Sequence, residues 1–103
     1  MVVPFQKRRL RKPIAKDLTR HVCMMLKDGK MVMPYPHVQQ WLLSKNITAM
    51  QMLTTVEKGV AVGDPQLDAR GDWRIALQRL AAGRKVQVTV AIKEDHFVIV
   101  KIA

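Results

Sequence analysis

The sequence predicts an α+β protein in which N-terminal helices pack on one face of a curved antiparallel β-sheet, within a single domain. Three observations carry this prediction. Apolar residues recur at helical spacing up to about residue 58, and from Val60 onward they alternate with polar residues as in strands. A length of 103 residues, 49% of them hydrophobic, suffices for one core. Helices first and strands afterwards are typical of the α+β class.

Three helices are predicted in the first half of the chain. The first starts at Pro13 and ends at Asp28-Gly29, with an apolar stripe and with Cys23 interpreted as a small buried residue. The stripe consists of Ile14, Leu18, Val22, Met25 and Leu26. The second covers about residues 37–45. The third covers about residues 49–58, where Thr48 and Gln51 form a capping box, Ile47 is placed to contact Met52, and Gly59 ends the helix.

Strands are predicted from Val60 to the end of the sequence. "VAV" is a short strand closed by Gly63-Asp64-Pro65, and "QLDARG" is a loop. Two alternating strands, around Trp73 and around Val88, are joined by a turn at Gly83. The last strand, "FVIVKIA", is apolar on both faces, which indicates a central position in the sheet.

Positive charge is concentrated near the N-terminus. The net charge is +10, and residues 1–30 hold nine Lys or Arg against two acids. We expect residues 1–12 to be a flexible basic arm and residues 13–103 to be the domain. Such an arm attracts nucleic acid, an anionic membrane or an acidic protein partner. Its candidate RNA-binding residues, together with one on the first helix, are Lys7, Arg8, Arg9, Arg11, Lys12 and Arg20.

Several classes of function are disfavoured. No apolar run has the length of a membrane span or a signal peptide, and one cysteine forms no internal disulfide, so we expect a cytoplasmic protein. Phosphate-binding glycine loops and the GxSxG nucleophile motif are absent. His21, His37 and His96 lack metal-ligand spacing with one another and with Cys23. We therefore expect neither a metal nor a nucleotide cofactor.

One surface remains as a candidate site, namely the outer face of the predicted hairpin. Its side chains alternate with the core set and so share one surface. They are Arg74, Gln78, Lys85, Gln87 and Thr89. Such cations and hydrogen-bonding groups suit the phosphates and sugars of RNA, and a metal-free ribonuclease can use cations to stabilise the pentavalent phosphate. A solvated sheet face with no binding role is the alternative.

The order of motifs resembles a bacterial domain family of unknown function that is grouped with the RelE-like toxins, including the BrnT and MqsR types. The resemblance covers about residues 35–103 and is carried by His37, the "NIT" helix start, Gly59, "GDWR", Gly83 and "HFVIVKI". Within it, His37 matches the family's histidine and Arg74 the polar position after the strand's aromatic residue. Trp41 and Leu42 stand where an Arg and its neighbour are usual.

The resemblance implies a RelE-like fold, metal-independent RNA cleavage on the open face of the sheet, and an antitoxin as protein partner. His37, Arg74 and Lys85 are then the candidate catalytic residues, and a purely structural role at the helix start is the alternative for His37. An RNA-binding relative without activity is a second form of this hypothesis. Two other classes stay open: a DNA-binding regulator with a helix-turn-helix at residues 37–58 and a wing at 72–93, and a module whose basic helix docks an acidic protein.

Overall fold

Three helices lie on one face of a five-stranded sheet. The computed structural model describes residues 14–34 and 36–103, so the predicted basic arm and Pro13 lie outside the described residues. The elements are α1 (Ala15–Lys27), β1 (Met31–Val32), α2 (His37–Lys45), α3 (Ala49–Lys58), β2 (Val60–Leu67), β3 (Trp73–Ala81), β4 (Arg84–Ile92) and β5 (Phe97–Ile102). The predicted α+β class is thus confirmed.

The helices form where the apolar spacing and the end signals predict them. Thr48 accepts a hydrogen bond from the backbone N–H of Gln51, whose side chain accepts one from the backbone N–H of Thr48, so the capping box is present. Helix α1 buries Leu18, Val22 and Met25. Two expectations on this helix were wrong: Ile14 is an exposed N-terminal cap residue, and Cys23 is only half-buried because it lies beside the stripe.

The sheet is mixed, with the strand order β1-β5-β4-β3-β2. Strand β1, which the sequence did not predict, pairs in parallel with β5, and the other pairs are antiparallel. It forms in the proline-rich segment because two residues suffice to pair at an edge. Strand β5 therefore has a neighbour on both sides, in accordance with its two apolar faces.

Strand β2 is longer than predicted. The strand continues through Gly63-Asp64-Pro65 to Leu67, with a bulge between Val62 and Gln66 in its pairing with β3. Proline and glycine are tolerated here because β2 is an edge strand, where a missing N–H or a local kink breaks few ladder hydrogen bonds. The segment predicted as a loop, "QLDARG", thus begins in the strand.

One core joins the helices to the sheet. Alternate residues of β3 and β4, together with Phe97, Ile99 and Ile102 of β5, point to the helices and pack on their buried stripes. The fully buried large side chains are Phe97, Leu18, Met52, Ile75, Leu77, Ile99, Val22, Val38, Val56, Val86, Val88 and Val90. Among the described helices, all three contribute to this cluster. The opposite face of the sheet is left without a helix in the part of the chain that the structure describes.

The β3–β4 hairpin turn offers a stability prediction. Ala82 and Gly83 connect the strands and have φ of 52° and 77°, the left-handed pair of a type I′ turn. An alanine costs about 1 kcal/mol in this region, and asparagine tolerates it better. We expect Ala82→Asn to raise the free energy of unfolding by about 0.5–1 kcal/mol in urea titrations. Gly83→Ala is the control and should lower it; an unchanged or lower midpoint for Ala82→Asn would contradict the turn geometry.

Candidate functional site: the open face of the sheet

The face turned away from the helices, called here the open face, is built mainly by β3 and β4. In the register of this pair, Arg74 lies opposite Ala91, Ala76 opposite Thr89, Gln78 opposite Gln87, and Leu80 opposite Lys85. In β3 and β4 the residues of the open face alternate with buried residues. The five residues predicted to share one surface, Arg74, Gln78, Lys85, Gln87 and Thr89, therefore do share it. That geometric prediction is confirmed, and the binding role of these residues stays a prediction.

Lys101 of β5 also belongs to the open face, although the alternation of the last strand does not indicate it. It lies opposite Thr89, whereas Ile99 lies opposite Val90. Val100 is an extra residue in β5 and forms a bulge. Beyond it, each side chain points to the face opposite to the one that simple alternation would give. Lys101 is consequently exposed while Ile102 is buried. The one sequence signal was the presence of a lysine as the single charge in an apolar strand.

Lys85 and Lys101 are the uncompensated cations of this face. Neither forms an ion pair of 4.0 Å or less with a carboxylate among the described residues. Between them along β4 lie the hydrogen-bonding side chains of Gln87 and Thr89. Four residues of strand separate Lys85 from Thr89, which is about 13 Å. The face therefore presents two separated ammonium groups with amide and hydroxyl groups between them.

Arg74 is held in place by an acidic loop. Its Nε–H donates to Oδ2 of Asp68 at 3.1 Å, and 45% of the Arg74 side chain is exposed. Burial of Asp68 raises the pKa of its carboxyl. Hydrogen bonds from the N–H of Asp72, from Arg74 and from the N–H of Arg70 outweigh burial, so the pKa is lowered overall. The bonds to the ionised Asp68 carboxylate therefore stabilise the fold fully above the ordinary carboxyl pKa. Their contribution is lost as the pH falls through the lowered pKa of Asp68.

A buried ion pair lies at the same end of the sheet as Arg74 and Asp68. The carboxylate of Asp72 is fully buried and accepts from the Nζ of Lys93, the residue that follows the last residue of β4. Asp72 also exchanges backbone contacts with Asp68: its N–H donates to Oδ1 of Asp68 at 2.9 Å, and its carbonyl accepts from the Asp68 N–H at 2.9 Å. The Lys93–Asp72 pair thereby supports the loop that orients Arg74.

The other predicted site residues lie elsewhere. His37 begins α2, which packs on β5 at the helix side of the sheet, and its ring stacks on Trp41 at a centroid distance of 6.2 Å. It is therefore not brought together with Arg74 and Lys85, which lie on the opposite face. Arg20 lies on α1, on the helix side. Lys7, Arg8, Arg9, Arg11 and Lys12 lie outside the described residues.

The helix-turn-helix interpretation gains little from the packing of α3. This helix buries Met52, Thr55 and Val56 against the sheet. Its exposed residues are Ala49, Met50, Glu57 and Lys58, and of these Lys58 alone is a donor to phosphates. None of the helices in the described ranges is long and apolar enough to cross a membrane.

Comparison with known proteins gives one match. Residues 35–103, two thirds of the chain, match the family model described as a domain of unknown function, DUF4258. No curated protein and no solved structure matches the sequence.

Proposed function

We propose that the open face of this protein binds RNA. The chain belongs to the DUF4258 family of domains of unknown function. The observation that carries the proposal is the pair of uncompensated lysines, Lys85 and Lys101, flanking Gln87 and Thr89 on a face without a helix among the described residues. Ammonium groups neutralise phosphate, and amide and hydroxyl groups hydrogen-bond ribose 2′-OH groups.

The chemistry of this face favours the RNA backbone over the bases. No aromatic side chain of the described residues lies on it, because Trp73 and Phe97 point into the core. Base stacking, which supplies much of the affinity of sequence-reading RNA modules, is thus not provided there. We therefore expect binding with a strong dependence on salt and a weak dependence on sequence.

The finer form of the proposal is a RelE-like RNA-directed protein, which acts in the cytoplasm as a metal-independent ribonuclease toxin held by an antitoxin. Arg74, with its guanidinium oriented by Asp68, would stabilise the charged phosphate, and Lys85 would assist with charge or proton transfer. His37 would act from another surface, so cleavage rests on Arg74 and Lys85. The resemblance in motif order supports this form, as does a sheet face that no helix of the described residues covers.

A salt titration with paired variants tests the binding. With fluorescently labelled single-stranded RNA, Lys85→Ala/Lys101→Ala should bind about tenfold more weakly. The negative slope of log K against log salt should become shallower by about 1.4. Lys45→Ala/Lys58→Ala, which removes the same charge from the ends of α2 and α3, is the matched control and should behave like wild type. If both double variants lose the same RNA affinity, the loss comes from net charge alone, and this would contradict the proposal.

RNA integrity in the same samples tests cleavage. In the presence of a metal chelator, the wild type should shorten the RNA, and Arg74→Ala/Lys85→Ala should not. Intact RNA with wild type, together with the salt-dependent binding above, would leave the protein an RNA-binding relative without activity.

A further inference from the structure

A groove on the opposite side of the molecule runs between α1 and the first half of β2. Its volume is about 530 Å³. The residues that line it include Lys16, Arg20, Met24, Lys27, Glu57 and Val60. None of these residues belongs to the β3–β4 surface discussed above, so the groove is a separate feature with its own chemistry.

The floor of the groove is the free edge of the sheet. Strand β2 is the last strand in the sheet order and pairs with β3 alone, so its outer side presents backbone N–H and C=O groups that no described strand uses. Two apolar side chains flank this edge: Val60 is 68% exposed and Met24 is 59% exposed. Backbone donors and acceptors beside apolar side chains suit an extended polypeptide.

The wall of the groove is basic. Lys16, Arg20 and Lys27 follow one side of α1, spaced by four and seven residues. The helix rises by about 16 Å from Lys16 to Lys27, which is the length of about five residues of strand. Asp17 approaches Arg20 only at 4.0 Å between exposed groups, and Glu57 is the one carboxylate among the lining residues. The wall thus carries an excess of positive charge along the length of a short strand.

We propose that this groove binds an acidic, extended segment of a partner protein, which adds to the sheet as a strand at the edge of β2. Its backbone pairs with Val60–Val62, and the bulge at Gly63-Asp64-Pro65 ends the pairing. Its apolar side chains cover Val60 and Met24, and its carboxylates face the cations of α1. The proposal is independent of RNA binding, because the two surfaces share none of the residues that carry them.

Synthetic peptides and the full-length protein test this inference. The probe is a short peptide in which Glu and Val alternate, compared with one in which Lys and Val alternate, and backbone amide NMR shifts and hydrogen exchange locate binding. The acidic peptide should shift and protect amides at residues 60–62 and shift those of α1, and the basic peptide should not. Lys16→Glu/Arg20→Glu should weaken binding about tenfold. Lys16 and Arg20 are both exposed, and Lys16 lies in the first turn of α1, where glutamate is favourable, so the variant should stay folded.

Controls separate this site from general anion binding. Lys45→Glu/Lys58→Glu carries the same charge change on other helices, and Lys85→Ala/Lys101→Ala alters the open face; both should bind the acidic peptide as wild type does. Equal affinity of the Lys16/Arg20 variant, shifts confined to the open face, or the same amide shifts with an RNA oligomer would each overturn the inference. If the charge-reversal variant loses its fold, the location of protected amides in the wild-type protein decides the matter.

Discussion

Replacing Lys93 with methionine should lower the free energy of unfolding by about 3 kcal/mol. The ammonium of Lys93 forms an ion pair with the fully buried carboxylate of Asp72, and 24% of the Lys93 side chain is exposed. Removing one member of a buried pair costs about 3–5 kcal/mol, because the remaining charge stays desolvated. Partial exposure of Lys93 places the effect at the lower end of this range.

A double-mutant cycle checks that charge is the cause. Asn is nearly the same shape as Asp and carries no charge, so adding Asp72→Asn to Lys93→Met should recover about half of the lost stability. Lys101→Met, an exposed strand lysine, is the matched control and should change stability by no more than about 0.5 kcal/mol. Urea unfolding of the wild type, the two single variants, the double variant and the Lys101→Met control gives the comparison. A loss in Lys93→Met no greater than that of the control would show that the pair contributes nothing.

Gly59→Ala should destabilise the protein by about 2–3 kcal/mol. A Cβ on Gly59 would lie 2.4 Å from the backbone oxygen of Thr55, and 3.1 and 3.2 Å from the backbone oxygen and nitrogen of Gln78. These are backbone atoms of α3 and β3, so no side-chain rotation relieves the contact. Either the helix end or the strand has to move.

The matched control for this prediction is Gly63→Ala. Gly63 has a φ of 73° and no atom within 4 Å of its added Cβ, so its replacement costs only the backbone strain of about 1 kcal/mol. Gly59, with φ of −69° and ψ of 163°, has no such strain, and its effect is purely steric. Midpoints of chemical unfolding should rank wild type, Gly63→Ala and Gly59→Ala in descending order. The reverse order of the two variants would contradict the close approach.

Gly59 also shows how a correct prediction can rest on another cause. The sequence predicts that α3 ends there, and it does, but the residue is extended and not left-handed. The requirement for glycine comes from the Thr55 carbonyl at the helix end together with the backbone of Gln78 on β3, and Gln78 is distant from Gly59 in sequence. Local spacing cannot reveal such an approach, because it depends on how the hairpin packs on α3.

By itself, the sequence determined the helices α2 and α3, the hairpin and its turn, and the face shared by Arg74, Gln78, Lys85, Gln87 and Thr89. These follow from periodicity and end signals, which act over a few residues. The tertiary structure decided what depends on pairing between distant segments. The bulge at Val100 places Lys101 on the open face, the parallel pairing of β1 makes the sheet mixed, and the packing of α2 separates His37 from Arg74. Strand register and helix placement are set by the fit of the whole core, and no local pattern records that fit.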